Sequence, residues 1–248
     1  PSSHLWPQQI TEPIVGEVLE ITPGGGRLIE FDQPITPHLE ALGETPLPPY
    51  IHEPLTDSER YQTVYARVQG SVAAPTAGLH FTPELINEIQ ARGVEFAFVT
   101  LHIGLDTFRP VQTEQIEDHQ MHSEYAILPT ETAEAINRTR QAGGRIIAIG
   151  TTAVRVLETA GQSSIVNCQL SIVNSQIVAF SGWTDLFIYP GYQFQAVDAL
   201  ITNFHLPRSS LLMLVSAFAG KDLILRAYRE ATEKNYRFYS FGDAMFIE

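Results

Sequence analysis

Hydrophobic and polar residues alternate from Ile14 to Phe31, which is the pattern of half-buried β-strands. The two alternating runs flank the stretch TPGGG at residues 22–26, whose glycines favour a tight turn. The segment is therefore predicted to be a β-hairpin. Because one hairpin cannot bury its own apolar face, we expect it to belong to a β-domain whose other strands lie elsewhere.

Prolines are concentrated in residues 34–54, and they remove backbone donors and stiffen the chain. This connector predicts a domain boundary, with residues 1–45 on one side and residues 46–248 on the other. Beyond it, helical and strand patterns alternate, which is typical of an α/β or α+β domain with a β-rich appendage. Helices are predicted at 82–93, 130–143, 151–160, 209–219 and 222–232, strands at 94–101, 145–149, 200–204 and 244–247, and a strand-like pattern at 163–188.

Composition and charge limit the classes of protein that remain. The single cysteine, Cys168, can form neither an internal disulfide nor a cysteine-based zinc site, and we expect a cytoplasmic protein without a membrane segment. The net charge of −13 opposes nucleic-acid binding, yet residues 208–237 contain six basic and three acidic residues. Charge therefore neither supports nor excludes an RNA partner.

Polar stretches follow three of the predicted strands, at residues 102–110, 150–155 and 203–209. In open α/β sheets, ligands bind at the carboxyl ends of strands. We therefore expect the segments around His102, Thr151 and His205 to line one pocket. The segment that begins Gly150-Thr151-Thr152 opens a helix, and it is either an anion seat or an ordinary helix cap.

Five histidines lie in segments of this kind: His80, His102, His119, His122 and His205. Each one alone is more typical of a structural histidine than of a catalyst, but their clustering favours a functional role. The spacing of His119 and His122 also suits a zinc hydrolase, although the His-Glu-x-x-His arrangement is absent from the sequence. Nucleotide-binding glycine fingerprints, Walker loops and nucleophile elbows are absent as well.

Several long segments form an ordered series along the chain, among them GSVAAPTAGLHFT at 70–82, TNFHLP at 202–207 and YRFYSFGDAM at 236–245. Through this series, the sequence from about Leu47 onward resembles the S-adenosylmethionine:tRNA ribosyltransferase-isomerase family, which acts in queuosine biosynthesis. The sequence has Asp106 where the family generally has glycine, and Ala153 where serine is common. Further matching segments lie at residues 47–51, 59–66, 99–104, 107–111, 121–124, 150–152, 190–192 and 211–220.

The resemblance implies a two-domain α+β or α/β fold. A larger mixed α/β catalytic domain at residues 46–248 would carry the remnant of an inserted small β-barrel domain, with residues 1–45 as the barrel's tail. Roughly the first third of the family has no counterpart here. An inactive or partner-dependent RNA-binding fragment therefore remains an alternative, as does a metal-dependent hydrolase.

The resemblance also implies a reaction. S-adenosylmethionine serves as a ribosyl donor to 7-aminomethyl-7-deazaguanine at the tRNA wobble position; the ribosyl carbons rearrange to an epoxycyclopentane, and adenine and methionine leave. The reaction begins with removal of a proton from the ribose carbon next to the sulfonium. Acid–base groups and a grip on the methionine end are therefore required. No metal is expected, and the protein is expected to be a monomer.

The proton-transfer candidates are His102, His205 and His122 with Glu124, since histidine titrates near neutrality. Arg155 and Arg208 are candidates for holding a carboxylate or RNA phosphate, or they are ion-pair or surface residues. Asp243 is a candidate for binding the methionine amine or a ribose hydroxyl, or it is a turn residue. The aromatic candidates for stacking a base, or for a place in the core, are Phe204, Tyr192 and Tyr239, and the remaining substrate-binding candidates are Thr76, His80, Gly104, Thr151, Thr152 and Asn203.

Overall fold

The computed structural model describes residues 13–22, 26–104, 116, 119, 121–167 and 176–248. The chain divides into two structural units, Pro1–Pro46 and Leu47–Glu248. Cys168, Asp106 and the matching segment at 107–111 lie outside the described residues.

The first unit contains the predicted hairpin. Strands β1 (Gly16–Ile21) and β2 (Arg27–Phe31) pair antiparallel, with a register irregularity between Val18 and Glu20. A 3-10 turn at Thr36–His38 and the short helix α1 (Leu39–Leu42) follow. Side chains on both faces of the hairpin are exposed, including apolar residues at Val15, Val18, Leu19 and Ile21.

Local capping signals fix two helices of the second unit. Helix α2 (Pro83–Ala91) begins where the Thr82 hydroxyl accepts a hydrogen bond from the Leu85 amide at 3.2 Å, with proline at the first helical position. Helix α5 (Ser210–Ala219) begins in the same way, with the Ser209 hydroxyl accepting from the Leu212 amide at 3.2 Å. Both helices confirm the predictions made from sequence. Two further predicted helices are α3 (Thr130–Gln141) and α6 (Lys221–Glu233).

Two three-stranded sheets make up the rest of this unit. In the first, β4 (Glu124–Leu128) lies between β3 (Thr100–His102) and β6 (Phe180–Thr184), and all pairings are antiparallel. In the second, β7 (Ala199–Asn203) pairs parallel with β5 (Ile147–Ile149) and antiparallel with β8 (Ala244–Ile247). The prediction of a mixed α/β domain is confirmed.

The predicted strand at 94–101 is reduced to its end. Residues 94–99 are held by side chains of α3, because the Thr132 hydroxyl donates to the Phe98 carbonyl at 2.8 Å and Arg138 donates to Glu95 at 3.1 Å. Such contacts produce no pattern of hydrophobic and polar residues, so the sequence could not show that residues 94–99 lack strand pairing.

The predicted strand-like region from residue 163 begins instead as helix. Helix α4 (Gly150–Asn167) continues through Gly161, beyond the predicted end at residue 160. A β-carbon on Gly161 would lie 2.9 Å from Cβ of Gln195. The glycine therefore serves close packing inside the helix rather than termination.

Helix α4 is the centre of the domain, because it contacts strands of both sheets. Val154, Val156 and Ala160 are all buried, so this part of the helix is enclosed by core on more than one side. Burying a valine-sized side chain contributes about 1.5–3 kcal/mol. Among the helices in the described ranges, none is long and apolar enough to cross a bilayer.

Candidate active site

The segment from Gly70 to His80 runs past the ends of several strands. At its start, the Val72 amide donates to the Ile103 carbonyl at 3.0 Å, and the Ser71 hydroxyl accepts from the Ile103 amide at 3.2 Å. Gly70 has a φ of 119°, and a β-carbon there would lie 3.0 Å from Nδ1 of His102. The segment thus begins against the end of β3.

The same segment ends in a 3-10 turn at Thr76–His80. A β-carbon on Gly150 would lie 3.6 Å from Cβ of Ala77, and Nε2 of His80 lies 3.2 Å from Nδ2 of Asn203. Gly150 follows β5 and Asn203 ends β7, so residues 70–80 contact the ends of three strands in turn. The predicted strand-end segments are therefore linked through one intervening stretch.

Asn203 joins three parts of the chain. It is buried, and its Nδ2 donates to the Tyr239 carbonyl at 3.0 Å while also contacting His80. Tyr239 has a φ of 70°, and its amide donates to the Phe204 carbonyl at 3.0 Å. Asn203 Oδ1 is buried without a hydrogen-bond partner in the described part of the chain. Three predicted binding residues (Asn203, His80 and Tyr239) are thus brought together.

Asp243 lies in the same region, but its carboxylate oxygens already have partners. Oδ1 accepts from the Arg237 guanidinium and Oδ2 accepts from the Arg237 amide, each at 2.7 Å. These hydrogen bonds hold the pKa of Asp243 below its ordinary value. Burial lowers the pKa of His80, while the negative charge of Asp243 opposes that shift and Arg237 adds to it. Asp243 is thus held by Arg237 and acts electrostatically on His80, and its proposed binding of the methionine amine or a ribose hydroxyl stays a prediction.

Glu124 and Arg155 contact each other directly. Arg155 NH1 donates to Glu124 Oε2, and both side chains are buried. Arg155 Nε also donates to the Leu186 carbonyl at 3.2 Å. Its remaining nitrogen, NH2, is buried with no partner among the groups the structure describes. The ion-pair alternative for Arg155 is therefore observed.

Glu158 was not predicted from the sequence as a functional residue, although it is the one carboxylate in α4 and both of its oxygens accept hydrogen bonds. It is fully buried, and its oxygens accept hydrogen bonds from the Tyr192 hydroxyl and from the amides of Gln195, Ala196 and Val197, at 2.8–3.1 Å. Burial, together with Glu158, raises the pKa of Tyr192. The signal that could have identified Glu158 in the sequence is an acidic residue among the apolar residues of a predicted helix. Tyr192 thus anchors a loop to α4.

His205 is tied to its neighbours through both backbone and ring. Its Nε2 lies 2.8 Å from Oγ1 of Thr202, and its amide donates to the Tyr228 hydroxyl at 2.7 Å. Burial lowers the pKa of His205 to about 4. Burial and the contact with Thr202 thus make His205 a weaker base than an exposed histidine, and its catalytic role stays a prediction.

Phe204 belongs to the core. It is 4% exposed, and its ring packs against Tyr228 at 5.3 Å and Phe238 at 4.8 Å between centroids. The base-stacking prediction for Phe204 thus conflicts with its packing. Arg208 is exposed in a left-handed backbone conformation with φ of 57°, away from the buried pairs described above.

A row of rings crosses the first sheet. His102 pairs with Tyr125 and Tyr125 pairs with Trp183, so the three side chains share one face. The ring centroids of Tyr125 and Trp183 are 5.5 Å apart, and those of His102 and Tyr125 are 6.4 Å apart. Trp183 is 71% exposed. Sequence patterns did not predict this row, because it depends on register between three distant strands.

The remaining predicted residues take simpler positions. Thr151 is buried in the first turn of α4, Thr152 is half-buried beside it, and Thr76 begins the 3-10 turn. Gly104 follows β3, and His122 is exposed just before β4. A cavity of about 360 Å³ is lined by Leu225, Tyr228, Arg229, Thr232 and Glu233, and none of these five residues was predicted as a site residue.

The ring of His119 contacts Phe187, with 4.9 Å between centroids, and burial and the neighbouring His122 lower its pKa. Within the described ranges, no three or more His, Cys, Asp or Glu side chains are grouped so as to hold a metal ion.

These features define a mixed α/β protein whose polar candidates converge at strand ends through residues 70–80. The model of the queuosine biosynthesis protein family matches residues 3–247, and the chain belongs to that family. An S-adenosylmethionine:tRNA ribosyltransferase-isomerase of Natranaerobius thermophilus is 57% identical over 239 residues, covering 96% of this chain and 67% of the relative.

A solved structure gives a similar result. The crystal structure of an S-adenosylmethionine tRNA ribosyltransferase from Thermotoga maritima matches with 50% identity and a TM-score of 0.55. The match covers 70% of this chain and 51% of the Thermotoga chain. The chain thus spans about two thirds of the curated relative and about half of the solved one.

Proposed function

We propose that this chain forms the larger part of an S-adenosylmethionine:tRNA ribosyltransferase-isomerase. The protein would move the ribosyl carbons of S-adenosylmethionine onto 7-aminomethyl-7-deazaguanine in tRNA, with loss of adenine and methionine. The observation that carries the proposal is the 57% identity to a curated enzyme of that name over nearly the whole chain. Membership in the family does not favour a metal-dependent hydrolase or an inactive RNA-binding fragment.

His102 is the best-supported candidate for the base that starts this reaction. It ends β3, it is half-buried, and Nδ1 of its ring lies against the backbone of Gly70. By contrast, the ring of His205 is bonded to Thr202 and weakly basic. Proton transfer by a positioned side chain contributes on the order of 10²–10⁴ in rate. We therefore assign His102 the base and leave His122 as the second candidate.

The methionine end of S-adenosylmethionine needs a group that binds its carboxylate. The first turn of α4 offers free backbone amides at Thr151 and Thr152, and the helix dipole favours negative charge there. Arg155 NH2 adds an unpartnered cationic donor to the same helix, within the part of the chain that the structure describes. We propose this end of α4 as the carboxylate seat.

The tRNA would contact the exposed face of the first sheet. His102, Tyr125 and Trp183 form a row there, and aromatic side chains on a sheet surface are a common platform for unstacked RNA bases. Because the row includes His102, a base stacked on it would lie next to the proposed site of chemistry.

The proposed domain arrangement assigns residues 1–45 to the tail of a small β-barrel and residues 46–248 to the catalytic α/β domain. Exposed apolar residues on β1 and β2 support this, since a barrel would bury one of their faces. We further propose a monomer that acts in the cytoplasm, where its tRNA substrate is found.

The test is incubation of the whole protein with S-adenosylmethionine and tRNA that carries the deazaguanine precursor. The tRNA is then digested to nucleosides, which are separated by liquid chromatography and whose masses are determined by mass spectrometry. The proposal expects a heavier deazaguanine nucleoside that depends on both substrates. An unchanged nucleoside from a folded protein would reject the proposal.

A further inference from the structure

The orientation of the Asn203 side-chain amide is fixed by its hydrogen-bond partners. The Tyr239 carbonyl can only accept hydrogen bonds, and it lies 3.0 Å from Asn203 Nδ2. The same carbonyl also accepts from the Gly242 amide at 3.0 Å, which fixes its own position. Turning the Asn203 amide over would place two oxygens against each other. The NH₂ group of Asn203 therefore faces both Tyr239 and His80.

This orientation decides the state of the His80 ring. Its Nε2 lies 3.2 Å from the Asn203 NH₂ group, so Nε2 has to accept a hydrogen bond. A proton on Nε2 would point at the Asn203 hydrogen that faces the ring and set one donor against another, which excludes both the charged ring and the Nε2–H tautomer. The remaining proton is then on Nδ1.

We infer that Asn203 is a positioning residue that keeps His80 neutral with its proton on Nδ1, so that His80 donates a hydrogen bond to the substrate and does not remove a proton from it. The role toward substrate rests on the proposed function, whereas the tautomer does not. His80 is half-buried, which leaves part of the ring open, and among the described residues no hydrogen-bond partner contacts its Nδ1.

The charged groups that face His80 act in opposite directions. Asp243 favours the protonated ring, whereas Arg237 and burial disfavour it, and burial is the largest of the three. Each oxygen of Asp243 already accepts a hydrogen bond from Arg237, so part of the acceptor capacity that could serve a protonated His80 ring is used. The neutral ring is thus favoured by burial and by Arg237, which together outweigh the opposing charge of Asp243.

Asn203 Oδ1 adds a second feature to this pair. It is a buried acceptor without a partner in the described structure, and buried polar groups normally have one. The pair therefore offers one free donor, Nδ1–H of His80, and one free acceptor, Oδ1 of Asn203. A ligand with ribose hydroxyls or an amino group, as in S-adenosylmethionine, has groups that complement both.

The tautomer can be measured without any activity. With ¹⁵N-labelled histidine in the whole protein, we expect the His80 signals to show an unprotonated Nε2 and a protonated Nδ1 at neutral pH. The signals are assigned by their loss in His80→Asn. An Nε2 that carries the proton in the unmodified protein would overturn the inference.

Asn203→Asp tests the cause. A carboxylate at this position accepts from Nε2–H, so we expect the proton to move to Nε2 of His80. Asn137→Asp is the control. Like Asn203, Asn137 donates from Nδ2 to a backbone carbonyl, that of Ile177 at 2.8 Å; its Oδ1 accepts from the Ile177 amide at 2.9 Å, and neither of these hydrogen bonds involves a histidine. An unchanged His80 tautomer in Asn203→Asp, or an equal change in Asn137→Asp, would overturn the positioning role.

Turnover rates of two His80 variants then distinguish a hydrogen-bond donor from a base that removes a proton. The side-chain nitrogen of asparagine takes roughly the place of Nδ1, so His80→Asn keeps the donor while His80→Ala removes it. We expect His80→Ala to lower kcat on the order of 10²-fold and His80→Asn to restore most of it. Equal losses in both variants would contradict the donor role. If the tautomer is observed but the unmodified protein shows no ribosyl transfer, the proposed function fails and the positioning role stands.

Discussion

Arg155 in α4 and Glu124 at the start of β4 form an ion pair that is buried on both sides, with 7% and 3% of their side chains exposed. Removing one partner of such a pair leaves an uncompensated buried charge, which typically costs about 3–5 kcal/mol. The pair connects the central helix to the first sheet.

Glu124→Gln is therefore expected to lower the free energy of unfolding by about 3–5 kcal/mol, measured by urea denaturation. Glu95→Gln is the matched control, because Glu95 pairs with Arg138 on the surface with both side chains 59% exposed. That change should cost less than about 1 kcal/mol. Equal stability of both variants, with lost turnover only in Glu124→Gln, would instead make Glu124 a proton-transfer group.

Stability should depend on pH through His205. Burial lowers its pKa from 6.5 to about 4, so between these values the unfolded chain binds a proton that the folded chain does not. The contribution of His205 to the free energy of unfolding is therefore fully present above pH 6.5. It decreases as the pH falls toward 4, by at most about 1.4 kcal/mol per pH unit. The lowered pKa of His80 adds a slope of the same sign.

The measurement compares chemical denaturation of the unmodified protein and His205→Gln at pH 4.5, 5.5 and 6.5. We expect a shallower slope in the variant. His52→Gln, at an exposed histidine, should keep the original slope. A variant slope equal to that of the unmodified protein would mean that His205 titrates normally in the folded state.

His102→Ala should lower single-turnover rates on the order of 10²–10⁴-fold, because it removes the proposed base. The melting temperature should change little, since the ring is only half-buried. His52→Ala serves as the control for histidine removal and should leave both quantities unchanged. Near-normal chemistry in a destabilised His102→Ala would identify His102 as a structural residue.

Trp183→Ala should weaken binding of precursor tRNA roughly 5- to 100-fold, because stacking of a base on an aromatic ring is worth about 1–3 kcal/mol. Fluorescence anisotropy with labelled tRNA at fixed salt measures the dissociation constant. Phe246→Ala is matched for exposure, as Phe246 is a 53% exposed aromatic residue on the other sheet. Equal affinities of the two variants would reject the ring row as an RNA surface.

Elements with signals inside their own sequence were predicted correctly. Thr82 and Pro83 start α2, and Ser209 starts α5, through contacts that span three residues. By contrast, residues 94–99 and the length of α4 depend on partners far along the chain. Gly161 fits the expected pattern of a helix end, but its contact with Gln195 exists only in the folded domain.

The candidate site shows the same division. Motifs supplied Asn203, His80 and Tyr239 as separate candidates, yet their pairing could not be predicted because Asn203 and His80 are 123 residues apart in sequence. The row of His102, Tyr125 and Trp183 likewise depends on strand register. Candidate residues could therefore be identified from the sequence, whereas the contacts between them could be identified only from the tertiary structure.

The central claim is that S-adenosylmethionine donates its ribosyl carbons and not its methyl group. The most direct measurement follows the small molecules released when the whole protein acts on precursor tRNA, by liquid chromatography and mass spectrometry. Adenine and methionine in equal amounts, formed only in the presence of that tRNA, are the predicted result. Formation of S-adenosylhomocysteine with methylated tRNA would contradict the account.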